Sequence, residues 1–142
     1  MSKIFLICSL FLSTIILEAN TFRDGMKAYR KGDFQRAKIL FEESFSKNKS
    51  TSAAYMLGRL YLNGEGVEEN LDKAIKLFIY AFDSGNIPAG CYLSEAYMKQ
   101  KKHLELLAEG LVPGLRKKVP HCKKVFRIYK NYPFEEVRKQ KQ

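Results

Sequence analysis

The stretch Ala53-Ala-Tyr-Met-Leu-Gly-Arg-Leu-Tyr-Leu-Asn-Gly-Glu-Gly-Val67 decides the fold. Ala53, Leu57 and Tyr61 stand four residues apart, on one stripe of a helix. Gly58 costs such a helix about 1 kcal/mol, so it needs a packing reason: without a side chain, it lets a neighbouring helix approach its backbone. Asn63-Gly64-Glu65-Gly66 ends the helix, because glycine adopts the left-handed conformation of a C-terminal cap. Val67, apolar inside the turn, is expected to plug the joint to the next helix. Asn70 can cap that helix, and Asp72 lies in its first turn, where a carboxylate is favoured. Ala74, Phe78 and Ala81 form its buried stripe, Ile75 and Phe82 widen it, and Gly85 closes it.

Working outward, Ala53, Leu57, Gly58 and Tyr61 recur 36 residues later as Ala89, Leu93, Ser94 and Tyr97. That period is the length of one helix-turn-helix unit. The pattern closely resembles the Sel1-like repeat: Ala53, Leu57-Gly58, Tyr61, Gly64-Glu65-Gly66-Val67, Asn70, Lys73-Ala74, Phe78, Ala81 and Gly85. The likeness runs through 53–85 and into the first helix of a second copy at 87–99, where Ser94 replaces the glycine and no Gly-x-Gly-Val follows Tyr97. Upstream, Gly25, Ala28-Tyr29, Gly32-Asp33-Phe34, Ala37, Phe41 and Ser44 resemble a tetratricopeptide unit, with helices expected over 22–31 and 34–46 around a tight Gly32-Asp33 turn. The resemblance implies an all-α fold, a right-handed tetratricopeptide/Sel1-like helix-turn-helix solenoid with a helical C-terminal cap. Its expected parts are a tetratricopeptide-like pair at 20–50, a Sel1-like repeat at 51–86, a partial second repeat at 87–112 and a basic cap at 113–142. In the C-terminal third, Leu104, Leu107, Ala108 and Leu111 predict an amphipathic helix ending near Gly110, and Pro113-Gly114 predicts a break. Pro120 is expected to start a helix reaching about Lys130, with Val125, Phe126 and Tyr129 on one face; Glu135 and Glu136 suit the first turn of a last short helix.

Residues 1–19 read as a cleaved secretory signal. Lys3 supplies the positive end, Ile4 to Leu17 is apolar except for Ser9, Ser13 and Thr14, and Ala19 is a small residue at the cleavage position. The apolar run falls short of the ~20 residues a spanning helix needs. The protein is therefore expected to be periplasmic or secreted. Cys8 leaves with the leader; too few residues precede it for a lipoprotein signal. Cys91 and Cys122 remain, an even number in an oxidising compartment. They form either one disulfide or two buried thiols.

The net charge of +10 belongs to the C-terminal third: residues 99–142 hold 13 Lys/Arg against 4 Asp/Glu, while residues 20–98 hold 11 against 10. Arg116, Lys117, Lys118, Lys123, Lys124 and Arg127 form a basic patch interleaved with Phe126, Tyr129 and Tyr132. In a cytosolic protein this would suggest nucleic acid. An exported one meets anionic envelope surfaces or acidic proteins instead, so nucleic acid is not an expected partner.

Apolar residues are 46% of the sequence, enough for a core, and the repeat stripes are read as that core. First-helix positions off the stripes line the concave face of such solenoids, where a protein or peptide partner is expected to bind. The candidates there are Tyr55, Arg59, Leu62 and Glu95, with Cys91 beside them. Arg59 and Glu95 are one period apart, so their opposite charges are expected side by side. Catalytic signals are sparse: Ser44-x-x-Lys47 and Ser46-x-x-Lys49 match a pattern of penicillin-interacting enzymes, but Ser-Asp-Asn and Lys-Thr-Gly do not occur. Secreted cysteine-rich members of the Sel1-like family carry a β-lactamase label, which makes a hydrolase the alternative the resemblance implies. Those relatives staple each repeat with cysteines about eight residues apart, and Ala81-Phe82-Asp83 offers Cys91 no such partner. His103 and His121 lack further ligands at zinc spacing, so neither a metal nor a cofactor is expected.

Overall fold

The computed structural model describes residues 21–132; the expected signal segment and the short helix expected around Glu135 lie outside them. The described residues form helices α1 (21–30), α2 (Phe34–Asn48), α3 (Thr51–Asn63), α4 (Leu71–Asp83), α5 (Ile87–Gln100), α6 (Leu107–Arg116) and α7 (Pro120–Lys130), with a 3₁₀ turn at Leu104–Leu106. No strand occurs among them.

Local chemistry sets the boundaries. Asp33, Ser50, Asn70 and Asn86 cap α2 to α5, each side-chain oxygen accepting from the backbone N–H three residues on, at 2.9–3.2 Å. Gly64 ends α3 at φ +68°. Without its Gly-x-Gly-Val, α5 is closed by Lys101 in the same left-handed region (φ 55°).

The helices form two layers. The odd-numbered helices lie side by side, the even-numbered ones cover them, and each helix packs on its sequence neighbour. In the first two pairs a glycine on the odd helix receives a phenylalanine from the even one. A Cβ at Gly25 would lie 2.7 Å from the Phe41 ring, and a Cβ at Gly58 would lie 2.6 Å from the Phe78 ring. Phe41 and Phe78 are fully buried, each in its own apolar cluster. The Gly64–Val67 loop reaches back to the preceding pair: Gly66 lies against the Phe34 backbone, and Val67 packs with the cluster around Phe41.

In the third pair glycines face each other: a Cβ at Gly110 would run into the carbonyl of Gly90 on α5, and a Cβ at Gly90 would lie 2.7 Å from the Gly110 carbonyl oxygen and 2.7 Å from the Phe82 ring of α4. Ser94, at the position equivalent to Gly58, is buried, with its hydroxyl 3.0 Å from the Gly90 carbonyl oxygen and 2.9 Å from that of Leu107. Serine is accommodated here because α6 brings no aromatic ring to that position, and its hydroxyl stitches α5 to α6.

The expected end at Gly110 and break at Pro113-Gly114 are corrected: α6 runs through both to Arg116. Pro113 removes the hydrogen bond that Glu109 would accept, a cost of up to about 3 kcal/mol. The helix persists because Leu107, Gly110, Leu111 and Gly114 form one buried stripe against α5 and α7. Gly114 also leaves room for a disulfide: Cys91 on α5 and Cys122 on α7 are bridged, with Cα atoms 5.1 Å apart, and a Cβ at Gly114 would run into both sulfurs. A bridge between cysteines 31 residues apart contributes about 2–4 kcal/mol.

Gly110→Ala is expected to destabilise the fold by about 1–3 kcal/mol through overpacking at the α5–α6 crossing. Val112→Ala, at an exposed site on the same helix, should stay within about 0.5 kcal/mol. Urea denaturation followed by circular dichroism compares the two.

Candidate functional site

The odd-numbered helices carry a row of aromatic and polar side chains along one face. Tyr29 (α1), Tyr55 and Arg59 (α3), Tyr92 and Glu95 (α5) and His121 (α7) are all half-buried. Helical spacing puts Tyr55 with Arg59 and Tyr92 with Glu95, because residues three or four apart share a face. Packing of successive odd helices then joins these pairs.

Arg59 lies at the centre of the row. Its guanidinium carbon stands 5.2 Å from the Tyr29 ring centroid, 5.8 Å from that of Tyr55 and 5.4 Å from that of Tyr92, within range of cation–π attraction. Nη2 donates to the Tyr29 hydroxyl at 3.0 Å, and that hydroxyl donates to Glu65 at 2.9 Å. Nη1 is 3.8 Å from the Met56 sulfur, and Nε is buried with no hydrogen-bond partner. No carboxylate pairs with Arg59 among the described residues. Burial works against its charge, but the hydroxyls of Tyr92, Tyr55 and Tyr29 and the Glu65 carboxylate outweigh burial and hold the group more firmly cationic. Burial, reinforced by Tyr92, pushes the Tyr55 phenol well above its ordinary range despite the opposing Arg59 charge.

The other end of the row belongs to α7. The His121 ring stacks on Tyr92 with centroids 3.6 Å apart and planes 5° from parallel, and Nε2 is 2.8 Å from Glu95 Oε2. Burial raises the Glu95 pKa, but the hydrogen bond from His121 and its charge, with Lys124 and Lys99, more than reverse this and leave the carboxyl below its ordinary value.

Two expectations are corrected. Leu62 is 1% exposed and belongs to the core with Ala96 and Met98; lying between Arg59 and the end of α3, it turns toward α5, which covers it. Arg59 and Glu95 are not side by side, because Tyr92 stands against Arg59 while Glu95 reaches the other way, to α7. Tyr55 and Arg59 are on the face, and Cys91 is buried in the bridge. Sequence reasoning missed Tyr29, Tyr92 and His121. The three-residue step from Tyr92 to Glu95 marked a shared helix face; nothing local linked His121, 26 residues away, to either.

Arg116, Lys117, Lys118, Lys123, Lys124 and Arg127 are all exposed, along the end of α6, the following turn and the side of α7 opposite Cys122 and Val125. Of the serines in the two Ser-x-x-Lys patterns, Ser44 is 2% exposed inside α2, and Ser46 donates to the Glu43 carbonyl at 3.0 Å. The Lys47 ammonium is 2.6 Å from the Glu43 carboxylate. Among the described residues no three His, Cys, Asp or Glu side chains stand close enough to hold a metal ion.

Fold and face together define a helical repeat protein. Residues 51–86 match the family model for the Sel1 repeat. A 49-residue stretch is 45% identical to HcpC of Helicobacter pylori (strain J99), a protein whose name proposes it as a β-lactamase. The shared stretch covers 34% of this protein and 17% of HcpC. Residues 51–86 are thus similar to a Sel1 repeat, a module that generally mediates protein–protein interaction.

A carboxyl whose pKa is depressed on folding contributes stability that is present above its unfolded value, about 4.3 for Glu, and is lost as pH falls through the folded value. Thermal unfolding midpoints measured from about pH 6 down to about pH 3 should therefore fall less steeply in Glu95→Gln than in the wild type.

Proposed function

We propose that the protein is an exported interaction module of the cell envelope that binds a peptide segment of a protein partner along the concave face of its odd-numbered helices. The observation that carries this reading is the continuous row Tyr29, Tyr55, Arg59, Tyr92, Glu95 and His121. Amphipathic rings and one guanidinium provide contact area at low entropic cost, the residue types enriched at interface hot spots. Export is supported by the leader-like residues 1–19 and by the Cys91–Cys122 bridge, which suits an oxidising compartment. No helix among the described residues is long and apolar enough to cross a membrane. The β-lactamase in the name of HcpC gains little support here, since Ser44 is inside the core.

The test is site-specific photocrosslinking in cells, with p-benzoylphenylalanine replacing Tyr55 on the row or Ile79, exposed on α4. A discrete adduct from position 55 in the envelope fraction, absent from position 79, is the expected result. Equal labelling from both positions, or from neither, overturns the reading.

A second reading rests on the six exposed cations of the C-terminal region, none of which forms a salt bridge among the described residues. These residues would bind anionic headgroups through long-range attraction. Binding to phosphatidylglycerol vesicles should then collapse between low and physiological salt, and Lys123→Glu with Lys124→Glu should weaken it at low salt; salt-independent binding would overturn it.

A further inference from the structure

The even-numbered helices carry a second surface in their own layer. α4 and α6 both pack on α5. Between them runs a groove of about 220 Å³, floored by Leu93 and Tyr97 and walled by Ile79, Phe82 and Leu106. Pockets that hold small molecules run from about 300 to about 1,000 Å³, so this space suits one inserted side chain. Its rim is acidic. Asp83 and Glu109 line it, both are exposed, and neither forms a salt bridge among the described residues. Glu105 stands close by: burial first, then the charges of Glu109, Glu105 and Asp83, hold the Tyr97 phenol above its ordinary range. Ile79, 38% exposed, forms an apolar lip. An apolar floor inside an acidic rim is complementary to an aliphatic side chain flanked by cations.

That combination occurs on α7. Ile128 is 46% exposed. Lys124, one turn earlier, shares its face, and Arg127 stands beside it; both cations are exposed. α7 has no acidic residue to offset them, and the Cys91–Cys122 bridge fixes the helix to α5. It therefore presents Ile128 outward as a rigid element. We propose that a second copy of this chain docks in the groove, with Ile128 inserted beside Ile79 and with Lys124 and Arg127 set against Asp83 and Glu109. The inference is independent of the peptide-binding reading, which concerns the other layer of helices. Each copy has a net charge of +10, but repulsion between remote exposed charges is screened over about 8 Å at physiological salt, whereas opposed pairs partly buried at a contact are screened much less. Because groove and inserting helix belong to one chain, two copies either engage each other reciprocally as a closed dimer or add head to tail.

Sedimentation velocity of the mature protein, its bridge intact and at physiological salt, reads this contact. The expected result is growth with concentration from monomer to dimer, or to a ladder of sizes where addition is head to tail. Asp83→Lys with Glu109→Lys makes groove and helix both basic, and Lys124→Glu with Arg127→Glu makes both acidic. Each double variant alone should self-associate at least about tenfold more weakly than the wild type. An equimolar mixture of the two should form heterodimers, because the basic groove of one then meets the acidic helix of the other; that recovery also shows that both variants are folded. The groove variant should keep its binding to phosphatidylglycerol vesicles, which separates this contact from the headgroup reading. In the cellular crosslink, a product of twice the chain mass from position 79 reports the groove, whereas a partner adduct from position 55 reports the concave face. Wild-type monomers at every concentration, association that neither double variant weakens, or a mixture that stays monomeric overturns the inference.

Discussion

Helix α3 is apolar on almost every side, and a thirteen-residue helix of that kind is not stable unless neighbours cover it. Ala53, Ala54, Met56, Leu57, Gly58, Leu60 and Leu62 are all buried. α2, α4 and α5 provide the cover, and the rest of the structure is arranged around that requirement. Close approach is possible only where one partner gives up its side chain. Gly25 and Gly58 do this for Phe41 and Phe78, and Gly110 does it for the backbone at Gly90. In the third pair Ser94 takes the position of Gly58, and Gly90 and Gly110 meet backbone to backbone.

The same constraint produces the candidate binding face. With most of α3 committed to the core, the strip bearing Tyr55 and Arg59 is left half-buried, and that strip continues onto α1 and α5 through Tyr29 and Tyr92. α7 ends the row. It is held there by the Cys91–Cys122 bridge, by the His121–Glu95 hydrogen bond and by stacking of His121 on Tyr92. Covalent, polar and aromatic contacts thus act within one short helix whose opposite side is basic and exposed. The bridge joins α5 to α7.

From the sequence alone one could determine the helical class, the repeat at 51–86, the capping residues and most of the core, because these depend on spacings within a single helix pair. The small residue at 58 and the stripe Ala74, Phe78, Ala81 announce their partners through helical periodicity. Tertiary structure decided whatever depends on contacts between distant segments: the pairing of Cys91 with Cys122, the covering of Leu62 by α5, and the turning of Glu95 toward His121 and away from Arg59. It also decided the course of α6 through Pro113, since one lost hydrogen bond is outweighed by a buried stripe whose partners lie on other helices. Propensity is a local quantity, and burial is not; where the two disagreed, burial prevailed.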